Sequence, residues 1–92
     1  MSIVVRFTPA GMTKEQYGEA LRILEEQGVY PPDGLDYHVC FGTDGGLLVS
    51  EVWDSEEQFA AFGKLLTPVL AQVGITAAEP PVHFEVHNVV KR

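Results

Sequence analysis

The side chains of this sequence best suited to chemistry are His38, His83 and His87, with Glu51, Arg6, Trp53 and Cys40 as their candidate partners. His38 and Glu51 flank the run Thr43-Asp44-Gly45-Gly46. Asp-Gly tolerates the positive φ angles of a type I′ turn, so a two-residue hairpin turn is predicted at Asp44-Gly45. That turn sets Phe41 opposite Leu48 and His38 opposite Glu51. A carboxylate beside an imidazole fixes the ring's orientation, which suits His38 to accept a proton near neutrality. Arg6, on a strand expected beside this hairpin, would balance charge, and Trp53 would give an aromatic ring an apolar wall. A base in such a setting can take a proton from a phenolic hydroxyl. The structural counterpart is a polar network in which Arg6, Glu51 and His38 only satisfy one another.

A metal centre fits the spacing poorly. His83 and His87 are four residues apart, which on a strand is about 13 Å. Two ligands of one zinc need their nitrogens within roughly 4 Å of each other. His38 and His87 are expected on opposite edges of one sheet, about 14 Å apart. One chain therefore cannot gather its histidines, and a metal or haem site would have to borrow from a partner chain; no metal and no cofactor are expected. Cys40 has no base assigned beside it and reads as a small buried hydrophobe. The glycines at 45 and 46 precede no phosphate-binding helix.

The elements that must position these groups can be read along the chain. Residues 2–7 are β-branched and aromatic and precede the breakers Thr8-Pro9-Ala10-Gly11, which predicts a first strand. Thr13-Lys14-Glu15-Gln16 has the form of a capping box and opens a helix over about 14–27, with Tyr17, Ala20, Leu21 and Leu24 on one face and Gly28 as its stop. Strands follow at 35–41 and 47–53. Ser55-Glu56-Glu57-Gln58 starts a second helix, expected to kink or restart near Thr67-Pro68 and to end at Gly74. A last strand is expected over 82–90.

The order β-α-β-β-α-β with right-handed crossovers predicts an α+β, ferredoxin-like domain spanning 1–92. Its four-stranded antiparallel sheet has strand order 4-1-3-2, with both helices on one face. The 92 residues fit one small domain. With 13 acidic and 6 basic residues the net charge is −7, and the basic residues are scattered, which argues against nucleic-acid binding. No apolar run approaches the roughly 20 residues of a membrane span. The first residues lack the pattern of a secretory signal. With a single cysteine, a reducing cytoplasm is the expected compartment.

Alternation along strands assigns faces. An almost wholly apolar set, including Ile3, Val5, Val39, Phe41, Val52 and Phe84, is expected beneath the helices. Arg6, His38, Cys40, Val49, Glu51 and Trp53, with His83 and His87, are then expected on the bare face. That face is too apolar to stay wet, so a second copy of the sheet is expected to cover it. The result would be a homodimeric α/β barrel with these residues lining its lumen.

The residues Gly34 and His38 before the hairpin, Val52-Trp53-Asp54-Ser55 with Glu57, Phe59 and Phe62, then Pro68, Leu70 and Gly74-Ile75, and finally Val86-His87, form a pattern covering nearly the whole chain. The pattern resembles the dimeric α/β-barrel superfamily, in particular the small antibiotic-biosynthesis-monooxygenase (ABM)-like proteins. The resemblance implies the ferredoxin-like protomer, a homodimer and a lumenal site, and it adds His87 to that site. The superfamily spans cofactor-free monooxygenases, haem-degrading enzymes and isomerases. The expected activity is cofactor-free oxidation or isomerisation of a small aromatic metabolite, with His38, Glu51 and Arg6 catalytic. Trp53, Cys40, Val49 and His87 would contact the ligand. The alternative is a non-catalytic dimer that binds a small ligand or assists another enzyme.

Overall fold

Strand β1, Ile3–Phe7, ends where Pro9 and the glycine at 11 break the extended run. In the computed structural model, which describes residues 2–91, helix α1 follows over Lys14–Glu26. Met1 and Arg92, the ends of the expected 1–92 domain, lie outside the described residues. The predicted capping box forms in full: Thr13 Oγ1 accepts from the Gln16 backbone N–H at 3.1 Å, and Gln16 Oε1 accepts from the Thr13 N–H at 3.0 Å. Strands β2, Leu35–Phe41, and β3, Leu48–Trp53, form the hairpin. Helix α2, Glu56–Gln72, starts at Ser55, whose Oγ accepts from the Gln58 N–H at 3.2 Å. Strand β4 is Val82–Glu85, shorter than the sequence suggests.

The four strands form one antiparallel sheet in the order β2-β3-β1-β4, the expected topology. Gly34, four residues before His38, sits at φ +90, and any side chain there would collide with Gln58. Its carbonyl accepts from the Asp54 N–H at 2.8 Å, which ties the start of β2 to the end of β3.

Two local expectations need correction. The hairpin keeps the predicted register, with Phe41 opposite Leu48 and His38 opposite Glu51. Its connection, however, is the six-residue loop between Phe41 and Leu48 and not a type I′ turn. Gly45 has φ +85, but Asp44 keeps a negative φ. Asp44 instead uses Oδ1 to accept from the Lys14 N–H at 2.9 Å, capping α1 from another element. Helix α2 runs unbroken through Pro68 without restarting.

The larger correction concerns the sheet's faces. Directly paired residues of antiparallel strands share a face. Val5 pairs with Glu51 and Ile3 with Trp53, so the β3 set Val49, Glu51 and Trp53 lies on the same side as Ile3 and Val5. His38 and Cys40 follow through their pairing with Glu51 and Val49. The helices cover this face: Ile3, Val5, Val49 and Trp53 are buried together with Ala20, Ile23 and Leu24 of α1 and with Phe62 and Val69 of α2. Trp53 is completely inaccessible to solvent. The open face carries Val4, Val39, Phe41, Val52, Val82 and Phe84, with Arg6 and Ser50. Tyr37 and Phe84 there remain 53% and 63% exposed. The assignment by apolar majority therefore holds for β1 and is reversed for β2, β3 and β4. Among the described residues no helix is long and apolar enough to cross a membrane.

Candidate active site

His38 lies near the middle of β2, and its ring points up from the sheet towards α1. Its Nδ1 lies 2.6 Å from Glu51 Oε2 on β3, and its Nε2 lies 2.7 Å from the hydroxyl of Tyr17 on α1. An ionised carboxylate can only accept, so the neutral ring carries its hydrogen on Nδ1 and donates it to Glu51. Tyr17 then donates its hydroxyl hydrogen to Nε2. Trp53 completes the chain, donating its indole N–H to Glu51 Oε1 at 3.0 Å. Both carboxylate oxygens are thereby occupied, and Glu51 is held from two sides.

The side chains of His38 and Glu51 keep only 18% and 14% of their exposure. Tyr17 stacks on His38 with ring centroids 6.0 Å apart and planes 19° from parallel, and Tyr30 meets the same ring edge-on at 6.3 Å. Burial pushes the Tyr17 phenol up to about 12, with Cys40, Tyr30 and Glu51 nearby adding to the effect. Burial, with Glu51 close by, also raises the Tyr30 phenol, and burial raises the Cys40 thiol. Each keeps its hydrogen at neutral pH.

This polar chain lines one side of a cavity of about 480 Å³ between the helices and the sheet. The size lies within the roughly 300–1,000 Å³ common for small-molecule sites. The remaining wall is mostly apolar, from Val5 and Phe7 of β1, Leu21 and Leu24 of α1, and Phe62 and Leu66 of α2. No lysine or arginine lines it.

The structure brings His38, Glu51 and Val49 to the cavity and sets Trp53 directly behind Glu51. Cys40 is on the same face, half-buried beside Val49, and does not line the cavity. Arg6 does not join them: it pairs with Ser50 on the open face and is exposed. Adjacent strand residues point to opposite sides, so Arg6 cannot neutralise a group that faces Val5. His87 lies beyond the end of β4, exposed and away from the cavity. His38, Glu51 and Val49 thus line a cavity on the helix-covered side of the sheet and not its open face, where they were expected.

Sequence reasoning missed Tyr17 and Tyr30. Tyr17 had been readable only as part of the apolar stripe of α1. A tyrosine on a buried stripe must find a partner for its hydroxyl, and that requirement was the available signal. Tyr30 lay inside a turn-forming run that gives no direction to its side chain. Among the described residues no group of three His, Cys, Asp or Glu side chains is arranged to hold a metal ion.

The fold places the chain in a structural class: it has the ferredoxin-like α+β fold of the antibiotic-biosynthesis-monooxygenase-like proteins. An assigned antibiotic biosynthesis monooxygenase from Deinococcus radiodurans matches with a TM-score of 0.59 at 14% identity, over 100% of this chain and 98% of its own. A protein with the same assignment from Chloroflexus aurantiacus matches with a TM-score of 0.61 at 20% identity, covering 98% and 95%. SnoaB, a cofactor-independent oxygenase from Streptomyces nogalater, matches with a TM-score of 0.58 at 18% identity, covering 99% and 96%. No protein-family model matches the sequence, and no curated protein matches it.

Proposed function

We propose that the protein is a cofactor-independent oxidase or monooxygenase, acting on a small, uncharged phenolic or hydroquinone-type ring in the cavity between helices and sheet. The observation that carries this reading is the continuous Tyr17–His38–Glu51 hydrogen-bond chain on the wall of an otherwise apolar cavity. A proton leaving the substrate ends on His38, and the imidazolium so formed is held by Glu51. The resulting phenolate passes electrons to dioxygen, and the surrounding apolar wall keeps bulk water from quenching the anion. The likeness to SnoaB, itself a cofactor-independent oxygenase, agrees with this chemistry. The expected isomerase activity would use the same proton acceptor.

Oxygen uptake with a panel of hydroquinones tests the reading. The wild-type protein should consume oxygen with at least one member, and His38→Ala should lower the rate by about 100-fold. Equal rates for the two proteins would remove His38 from the chemistry.

The reading extends to a homodimer and to a single domain over 1–92. A second copy laid sheet to sheet would cover Val39, Phe41, Val52 and Phe84. Apart from Arg6, the paired strand positions of this face carry no charge, so two chains of net charge −7 can approach there without opposing like charges. Light scattering at micromolar concentration should give twice the 10.1 kDa of one chain. A monomer mass would end the dimer proposal and leave the site unaffected.

A further inference from the structure

The imidazole of His38 has no free nitrogen. Nδ1 is taken by Glu51 at 2.6 Å and Nε2 by the Tyr17 hydroxyl at 2.7 Å. A substrate can reach this base only if Tyr17 leaves or if Tyr17 passes the proton on. Several contacts hold Tyr17 in place. The helical turn that carries it is fixed by the capping box, by Asp44 on the Lys14 N–H, and by the Leu47 N–H donating to the Met12 carbonyl at 3.2 Å. Gln16, the residue before it, donates its side-chain amide to the Gly74 carbonyl at 3.2 Å, beyond the end of α2. The phenol ring also lies stacked on His38.

A hydroxyl has one hydrogen to donate and two lone pairs that accept. With His38 neutral and donating to Glu51, the hydrogen of Tyr17 goes to His38, and the lone pairs of its oxygen remain for a ligand in the cavity that the side chain lines. We infer that Tyr17 is the catalytic residue that meets the substrate, relaying the substrate's hydroxyl proton to His38. This inference rests on the proposed oxidation chemistry for its purpose but not for its test. In the relay the substrate O–H bond breaks as its proton joins Tyr17 Oη, while the Tyr17 O–H bond breaks as that proton joins His38 Nε2. The products are a substrate oxyanion accepting from the renewed Tyr17 hydroxyl and an imidazolium donating to Glu51. No proton or electron is left over.

Tyr30 also lines the cavity beside His38, but it is Tyr17 whose hydroxyl is hydrogen-bonded to Nε2. The titratable groups around the pair are Tyr30, Cys40 and Glu51; the side chains that β1 and α2 bring to the cavity are uncharged. Burial keeps Tyr17 protonated at rest, as a relay requires. Trp53 acts at one remove, as a positioning residue that holds Glu51 in the orientation His38 needs.

The test uses 4-nitrophenol without oxygen, at a pH where the free phenol is mostly protonated, because its absorbance reports its own ionisation. Bound to the wild-type protein it should appear as phenolate. In Tyr17→Phe it should still bind but show at least a tenfold smaller phenolate fraction, and His38→Gln should behave alike with Tyr17 intact. An equal phenolate fraction in Tyr17→Phe, or failure of the wild type to bind the phenol, overturns the relay. Hydroquinone turnover then separates the two claims. Tyr17-dependent ionisation with no oxygen uptake by the wild type sinks the oxidation reading and keeps the relay. Undiminished oxygen uptake by Tyr17→Phe sinks the relay and keeps the oxidation reading. With both intact, Tyr17→Phe should lose about 100-fold in kcat with KM changed less than about threefold.

Discussion

The two faces of the sheet divide their side chains against intuition. The face covered by this chain's own helices holds the ionisable pair His38 and Glu51, beside Trp53 and Val49. The face left open holds Val39, Phe41, Val52 and Phe84. A rule that buries whatever is most apolar would put them the other way round. The covered face tolerates its polar groups because they satisfy one another: among the described residues no buried side-chain nitrogen or oxygen lacks a partner. Apolar side chains need only exclusion from water, which a second molecule can supply. Hydrogen-bonding groups need partners at fixed distances, which a protomer supplies more dependably from its own helix.

The contrast breaks most severely at Trp53. Trp53→Ala removes the most deeply buried ring, which touches Phe59 and Phe62, and should cost about 3–5 kcal/mol in denaturant unfolding. A loss near 1 kcal/mol would mean that the covered face is not the core.

Removing the carboxylate sharpens the same point. Glu51→Ala strands the Trp53 and His38 donors and should cost about 1–3 kcal/mol for each donor that water cannot reach. Glu51→Gln keeps one acceptor oxygen and should cost less. Equal stability of Glu51→Ala and wild type would show that the network holds nothing together.

Alkaline pH probes the upper end of the chain. The folded Tyr17 titrates at about 12, against 10.0 when free, because burial disfavours its anion. Between those values the unfolded chain releases a proton that the folded one retains. The contribution of Tyr17 is therefore complete below about pH 10 and lost as pH rises towards 12. Thermal melts across this range should show a shallower decline for Tyr17→Phe than for the wild type.

The smallest effect on protomer folding is expected on the open face. Phe84→Asp alters a ring that is 63% exposed and should change the protomer's own stability by within about 0.5 kcal/mol. In the proposed homodimer the same substitution should halve the mass seen by light scattering. A large loss of stability with unchanged mass would reverse the roles given to the two faces.

Much of the fold was legible because its signals are local. Thr13 and Gln16 mark the start of α1, and Ser55 marks that of α2. The Asp44-Gly45 hairpin register survived even though the turn took another form, because pairing depends on where the strands can meet and not on one pair of φ angles. Asp44 was free to leave its predicted conformation once the Lys14 N–H offered its carboxylate a partner.

By itself, then, the sequence determined the element order, the strand neighbours, and the pairing of His38 with Glu51. The tertiary structure decided which side of the sheet that pair occupies. The pairing of β1 with β3 joins segments more than forty residues apart, and shifting it by one residue would exchange every face. Nothing local encodes that parity. Only the assembled sheet, with Val5 opposite Glu51 and Tyr17 above His38, turns a cross-strand pair into a lined cavity and leaves Arg6 on the far side.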